Sequence, residues 1–203
     1  MAVQPTHWAQ MRNVAVSLPA FGQLLDQASG QFVKYDPNAI APHLQNGILN
    51  FVANPTPTDS EFNDWLVVLA SRQVGKSVTA ALATSMRAAY SPGSYSAVIA
   101  DVRNRAEDLF RAIHHNQERL PEGIAPPTAT LGGSEKRQLT FQNGAKIRTL
   151  SAEQGNVGIG RAFDNLHMSE LPFWQDAPAV WNGIMPAIIT AHIQKSAQKP
   201  PDG

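Results

Sequence analysis

Residues 65 to 120 alternate between two apolar patterns, and that alternation limits the possible folds more than any other feature of the chain. "WLVVLA" (65–70) is a continuous apolar run with β-branched residues, the composition of a strand buried on both faces of a parallel sheet. "GKSVTAALATSMRAAY" (75–90) follows as an Ala-rich helical stretch that "SPG" closes at 91–93. "SYSAVIAD" (94–101) is strand-like again, and in "RNRAEDLFRAIHHNQERL" (103–120) Ala106, Phe110 and Ile113 fall on one helical face. Strand, helix, strand, helix in that order predicts an α/β domain with a parallel sheet flanked by helices.

The flanking segments add to this core. "PEGIAPPTATLGGSE" (121–135) reads as a Pro- and Gly-rich loop, and "RQLTF" and "AKIRTL", joined by "QNG", as an antiparallel β-hairpin with Asn143-Gly144 at its turn. "NLHMS" (165–169) is a last strand, leading through "ELPFWQDAPAVWNGIMPAI" into a loop and a short helix. Residues 1–60 form a peripheral, helical extension, with one helix expected in "APHLQNGILNFVAN" (41–54), where Leu44, Ile48 and Phe51 share a face. Residues 61–190 are the expected core, and the polar tail 191–203 is expected to fray.

Composition narrows the function classes. At 203 residues and 43% apolar the chain buries one real core. It has no cysteine, which excludes disulfides, thiolate metal sites and a cysteine nucleophile. No stretch reaches the roughly 18 apolar residues that cross a bilayer, and no signal peptide is visible, so the expectation is a protein of the cytoplasm with no membrane partner. Sixteen basic residues balance sixteen acidic ones, so any contact with a polyanion must come from a local patch. His114 and His115, adjacent on a helix, point in different directions and cannot ligate one metal together.

The chemistry lies where the first strand-like run meets the first helix. Ala70, four further residues, then Gly75-Lys76-Ser77 has the spacing of a phosphate-binding loop, with Ala in place of the usual first Gly. Such a loop works through backbone N–H groups and a helix N-terminus that bind phosphate oxygens, here offered by Ser71, Gln73, Val74 and Gly75. Lys76 neutralises the β and γ phosphates, and the Ser77 hydroxyl ligates Mg²⁺. ATP and Mg²⁺ are the implied ligands, in a P-loop NTPase of the RecA-like kind. A second acidic position comes from "HMSE", which ends the last strand-like run at Ser169-Glu170. Glu170 is placed to polarise the attacking water, and Ser169 stands where most such enzymes have a metal-holding Asp. Asp164 sits at the other end of the same strand, roughly 16 Å away, and is excluded from that role.

The loop "SRQVGKS" (71–77) resembles that of the large terminase subunits, the motors that pump DNA into the proheads of tailed bacteriophages. "HLQNGILNFV", "SYSAVIADVRNRAEDLF" and "QLTFQNGAKIRTLSAEQGNVGIGRAFDNLHMSELPFW" are similar to further family segments, so the resemblance spans about residues 40 to 185. It implies that Arg72 contacts the nucleotide from within the subunit and that Gln45 reads the adenine edge. Arg161, in the Gly-rich connection "GIGRAF", is read either as a cation presented to a neighbouring subunit's γ-phosphate or as a partner in a structural salt bridge. It also implies a homo-oligomeric ring, double-stranded DNA, a portal protein and a small terminase subunit as partners. The work is done in the host cytoplasm, at the portal vertex of the prohead. Ser169 departs from the commoner Asp, although some relatives carry a similar "HxSE" form. The family's coupling motif and nuclease domain are not found through Gly203, so the reading is of a truncated ATPase module without nuclease activity. Two other readings stay open: another RecA-like DNA-dependent ATPase or helicase, and a non-catalytic remnant or assembly module.

Overall fold

The computed structural model describes residues 18–20, 23–25, 31–39, 41–53, 66–70, 75–121, 128–131, 137–154, 157 and 162–197. Its centre is a sheet of β3 (Tyr95–Ala100), β4 (Thr128–Leu131), β5 (Gln138–Phe141), β6 (Lys146–Ser151) and β7 (Asn165–Met168), in the order β4-β5-β6-β3-β7. β3 runs parallel to both neighbours, Ile99 standing opposite Leu150 on β6 and Met168 on β7. The β4-β5-β6 side is antiparallel, turned at Asn143-Gly144, where Gly144 takes φ 82°, a left-handed value that a residue with a Cβ resists. The hairpin read from the sequence is therefore present, and β4 extends it out of a stretch read as loop.

Helices cover both faces. α2 (Lys76–Tyr90) and α3 (Arg103–Arg119) pack on one face through Leu82, Met86, Leu109 and Ile113 against Val98, Leu139 and Ile147. α2 suits close packing because Ala81, Ala83, Ala88 and Ala89, all fully buried, let neighbouring elements approach. On the other face α4 (Ala177–Ala197) sets Val180 and Ile184 against Ala97, Ile99 and Leu150, with Phe163 and Trp174 in the same cluster. The strand order and the two helical layers make this an α/β domain, as the alternation of patterns implies.

The N-terminal part is not purely helical. A two-stranded antiparallel hairpin, β1 (Gln23–Leu25) with β2 (Phe32–Lys34), precedes α1 (Pro42–Ala53). α1 buries Ile48 and Leu49 and packs along α2, with Leu49 joining the α2 core together with Leu18 and Tyr35. At the other end the helix expected to be short runs to Ala197 through Pro186, into the segment expected to fray.

The strand expected at residues 65–70 is not found among the described residues. Residues 66–70 are not a buried strand: they carry no regular structure, and Leu66, Val67 and Leu69 are 44%, 78% and 90% exposed. A run of β-branched residues becomes a strand only when a neighbouring strand supplies partners for its backbone groups. β7 pairs with β3 along one edge, and among the described residues no strand lies along its other edge. No helix among the described residues is long and apolar enough to cross a membrane.

Candidate functional site

The carboxyl end of β7 meets the first turn of α2, and there the side chains singled out in the sequence converge. Gly75 adopts φ 75°, ψ 3° immediately before Lys76, so the chain enters α2 through a left-handed turn that favours glycine. Lys76 and Ser77 are the first two helical residues and therefore sit at the helix's positive end. On the opposing side the Ser169 N–H donates to the Ile99 carbonyl at 2.8 Å, one last sheet-like bond before the chain turns away.

Two side-chain pairs bridge the gap, in crossed order. The Ser169 hydroxyl donates to the Ser77 hydroxyl at 2.7 Å. Lys76 Nζ lies 3.2 Å from Glu170 Oε1, and the two side chains are only 18% and 16% exposed. An ion pair this shielded from water has little solvent competing for its charges, so each partner depends on the other or on a replacement of like charge. Positions some ninety residues apart are thus brought into contact pairwise, 76 with 170 and 77 with 169.

The backbone is shaped to hold this geometry. Glu170 has φ 57°, ψ 36°, a left-handed conformation that costs a residue with a Cβ on the order of 1 kcal/mol or more. The turn is held by the Phe173 N–H on the Glu170 carbonyl at 2.9 Å, and by the buried Trp174 indole, whose Nε1 donates to the Ser169 carbonyl at 3.0 Å. Trp174 therefore combines packing with a hydrogen bond that fixes the Ser169-Glu170 turn. In the sequence this role is signalled only weakly, by a tryptophan four residues beyond Glu170.

Behind the turn lies Gln45, on α1. The residue is 3% exposed, and its Oε1 accepts from Thr79 Oγ1 at 3.5 Å. On β7, His167 shares the strand face of Asn165 and Ser169, its Nε2 is buried, and burial lowers it from 6.5 to about 4, so it is neutral at physiological pH. Asp164 lies at the far end of β7, where its Oδ2 accepts from the Tyr95 N–H at 2.7 Å. Ser71, Arg72, Gln73, Val74 and Arg161 fall outside the described residues.

As a metal centre, the cluster offers two neutral hydroxyls, of Ser77 and Ser169, and one carboxylate held by Lys76. Among the described residues no group of three or more His, Asp or Glu side chains is placed to hold an ion. Such a donor set suits a hard cation that keeps most of its waters and takes further oxygens from a phosphate, as Mg²⁺ does, and does not suit a cation that needs a full protein cage. No protein-family model matches this sequence, and no curated protein matches it.

Proposed function

We propose that the chain binds and hydrolyses ATP at the α2–β7 junction, as the motor module of a large terminase subunit that drives double-stranded DNA into a prohead. The observation that carries this reading is the crossed pairing of Lys76 with Glu170 and Ser77 with Ser169. The spacing of Gly75-Lys76-Ser77 and the acidic end of a separate strand predict four residues for one reaction, and these four meet.

The chemistry follows from what each group holds. A triphosphate brought to the start of α2 meets its positive end and the Lys76 ammonium. The phosphate competes with Glu170 for that ammonium, and Glu170, released, is free to accept the proton of an attacking water. Ser77 and Ser169 are the hydroxyls that would hold Mg²⁺ or its waters, and the ion when bound neutralises charge on the phosphates. DNA contact in such a motor is to phosphates, independent of sequence and weakened by salt. Portal protein, small terminase subunit and further copies of the chain in a ring are the partners this reading proposes.

The test is ATP hydrolysis by the purified chain with Mg²⁺, with and without double-stranded DNA, beside Lys76→Ala and Glu170→Ala. Turnover that needs both residues supports the motor reading, with Glu170→Ala expected to lose about 10²-fold or more, the usual share of a general base. A second reading, a nucleotide-binding module without turnover of its own, is favoured by Ser169 where an Asp is usual. Binding that needs Lys76 with no turnover under any condition would select it.

A further inference from the structure

The resemblance to terminases makes Gln45 a reader of the adenine edge, yet the structure turns its side chain inward. The Gln45 amide lies behind the Gly75 turn. A Cβ placed on Gly75 would stand 3.3 Å from Gln45 Nε2, so the amide lies where a side chain at position 75 would need room. The other end of the amide, Oε1, takes the Thr79 hydroxyl. Thr79 is itself fully buried, and its N–H closes the first helical turn on the Gly75 carbonyl at 3.0 Å. Tyr35, 1% exposed, is buried beside the same threonine.

A wholly apolar side chain at position 45 would fill this space without desolvating an amide. Burying an amide at 3% exposure is tolerable only where hydrogen bonds replace those to water. Here the amide spans the two residues that define the start of α2, Gly75 before it and Thr79 one turn in. The direction in which Lys76 and Ser77 leave the helix depends on that start.

We infer that Gln45 is a positioning residue for the Lys76 site: it braces the left-handed Gly75 turn from behind, through Thr79, and sets the phosphate-binding groups rather than recognising a base. The inference rests on the reading of this site as a phosphate-binding one. It differs from base recognition in a measurable way. A base reader matters only to ligands that carry a base, whereas a brace for the turn matters equally to a bare polyphosphate.

The experiment is calorimetric titration of the full chain with ATP and, separately, with inorganic tripolyphosphate, in Mg²⁺ buffer well below the melting temperature. The wild type is compared with Gln45→Met, which keeps the volume and removes the amide, with Thr79→Val, which removes its partner, and with Lys76→Ala. Gln45→Met is expected to weaken ATP and tripolyphosphate by the same factor, about fivefold, the equivalent of one buried hydrogen bond. Thr79→Val should shift both ligands in the same direction and keeps the question answerable if Gln45→Met folds poorly. Loss for ATP with tripolyphosphate unchanged overturns the inference in favour of base recognition. Unchanged binding of both ligands, with only the melting temperature lowered, reduces Gln45 to a core residue and overturns it too. A wild type that binds neither ligand in a Lys76-dependent way instead sinks the phosphate reading, and this inference with it.

Discussion

The two ends of the β3–β7 pair dispose of their polar groups in different ways. At the amino ends the acid and the turn asparagine are bonded to backbone, while Asn165 on β7 donates to the Ser96 hydroxyl on β3 at 3.0 Å. Asp164 takes the Tyr95 N–H, Asn143 donates to the Ala89 carbonyl at 2.8 Å, and the same asparagine accepts from the Ala145 N–H at 3.1 Å. At the carboxyl ends side chains face side chains, Lys76 to Glu170 and Ser77 to Ser169. A carboxylate bonded to a main-chain amide is committed to the fold, because nothing else can satisfy that amide in place. A carboxylate paired with an ammonium can be exchanged for another anion without unmaking any backbone structure. Both ends carry an acid and a glycine turn, and at the carboxyl ends the acid is held by the Lys76 ammonium instead of by a main-chain N–H.

The largest effect expected outside the site itself involves His167, on the strand that joins the two ends. The unfolded chain accepts a proton at this residue near pH 6.5, and the folded chain refuses it until about 4. Stability therefore falls as pH drops through that window, by at most about 3 kcal/mol, and the loss levels off below it. Urea midpoints taken from pH 7 to pH 4 should show this slope in the wild type and a shallower one in His167→Leu. Equal slopes would mean that other groups set the acid response.

Next in size is Asp164→Ala. Removing a carboxylate that accepts from a main-chain N–H is expected to cost about 2 kcal/mol in unfolding free energy while leaving ATP affinity unchanged. A change in affinity would break the contrast between the ends. The smallest effect is expected for Trp174→Phe, which keeps the ring in the core but leaves the Ser169 carbonyl without its indole donor. A loss of about 1 kcal/mol, seen as a lowered urea midpoint, should come with weaker ATP binding, because the Ser169-Glu170 turn is the element released.

Much of this architecture was legible in the sequence, and the failures have common physical roots. α2, β3, α3 and β7 follow from periodicity, and the β5-β6 hairpin from Asn143-Gly144, because each is signalled by residues within the element itself. Residues 66–70 and β4 mislead in opposite directions for one reason. An apolar run reads as a strand although among the described residues no strand pairs with it, and the four residues of β4, between a Pro pair and a Gly pair, read as loop although β5 pairs with them. Pairing is a tertiary fact that no local pattern carries. The helix expected to be short instead continues through Gly183 and Pro186 to Ala197.

The site divides in the same way. That Lys76, Ser77, Ser169 and Glu170 belong together is read from spacing and position at element ends. The left-handed backbone of Glu170, the Trp174 clasp and the inward turn of Gln45 depend on what packs against each residue, and the sequence order does not record it.

The most direct test of the exchangeable pair is the affinity for ATP, measured by calorimetry on the wild type, Lys76→Ala and Glu170→Gln. The account predicts that Lys76→Ala abolishes binding and that Glu170→Gln, which frees the ammonium from its internal anion, tightens it by about fivefold. Equal affinity in the wild type and Lys76→Ala would contradict it, since the ion pair would then be a fixed part of the fold, as Asp164 is at the other end.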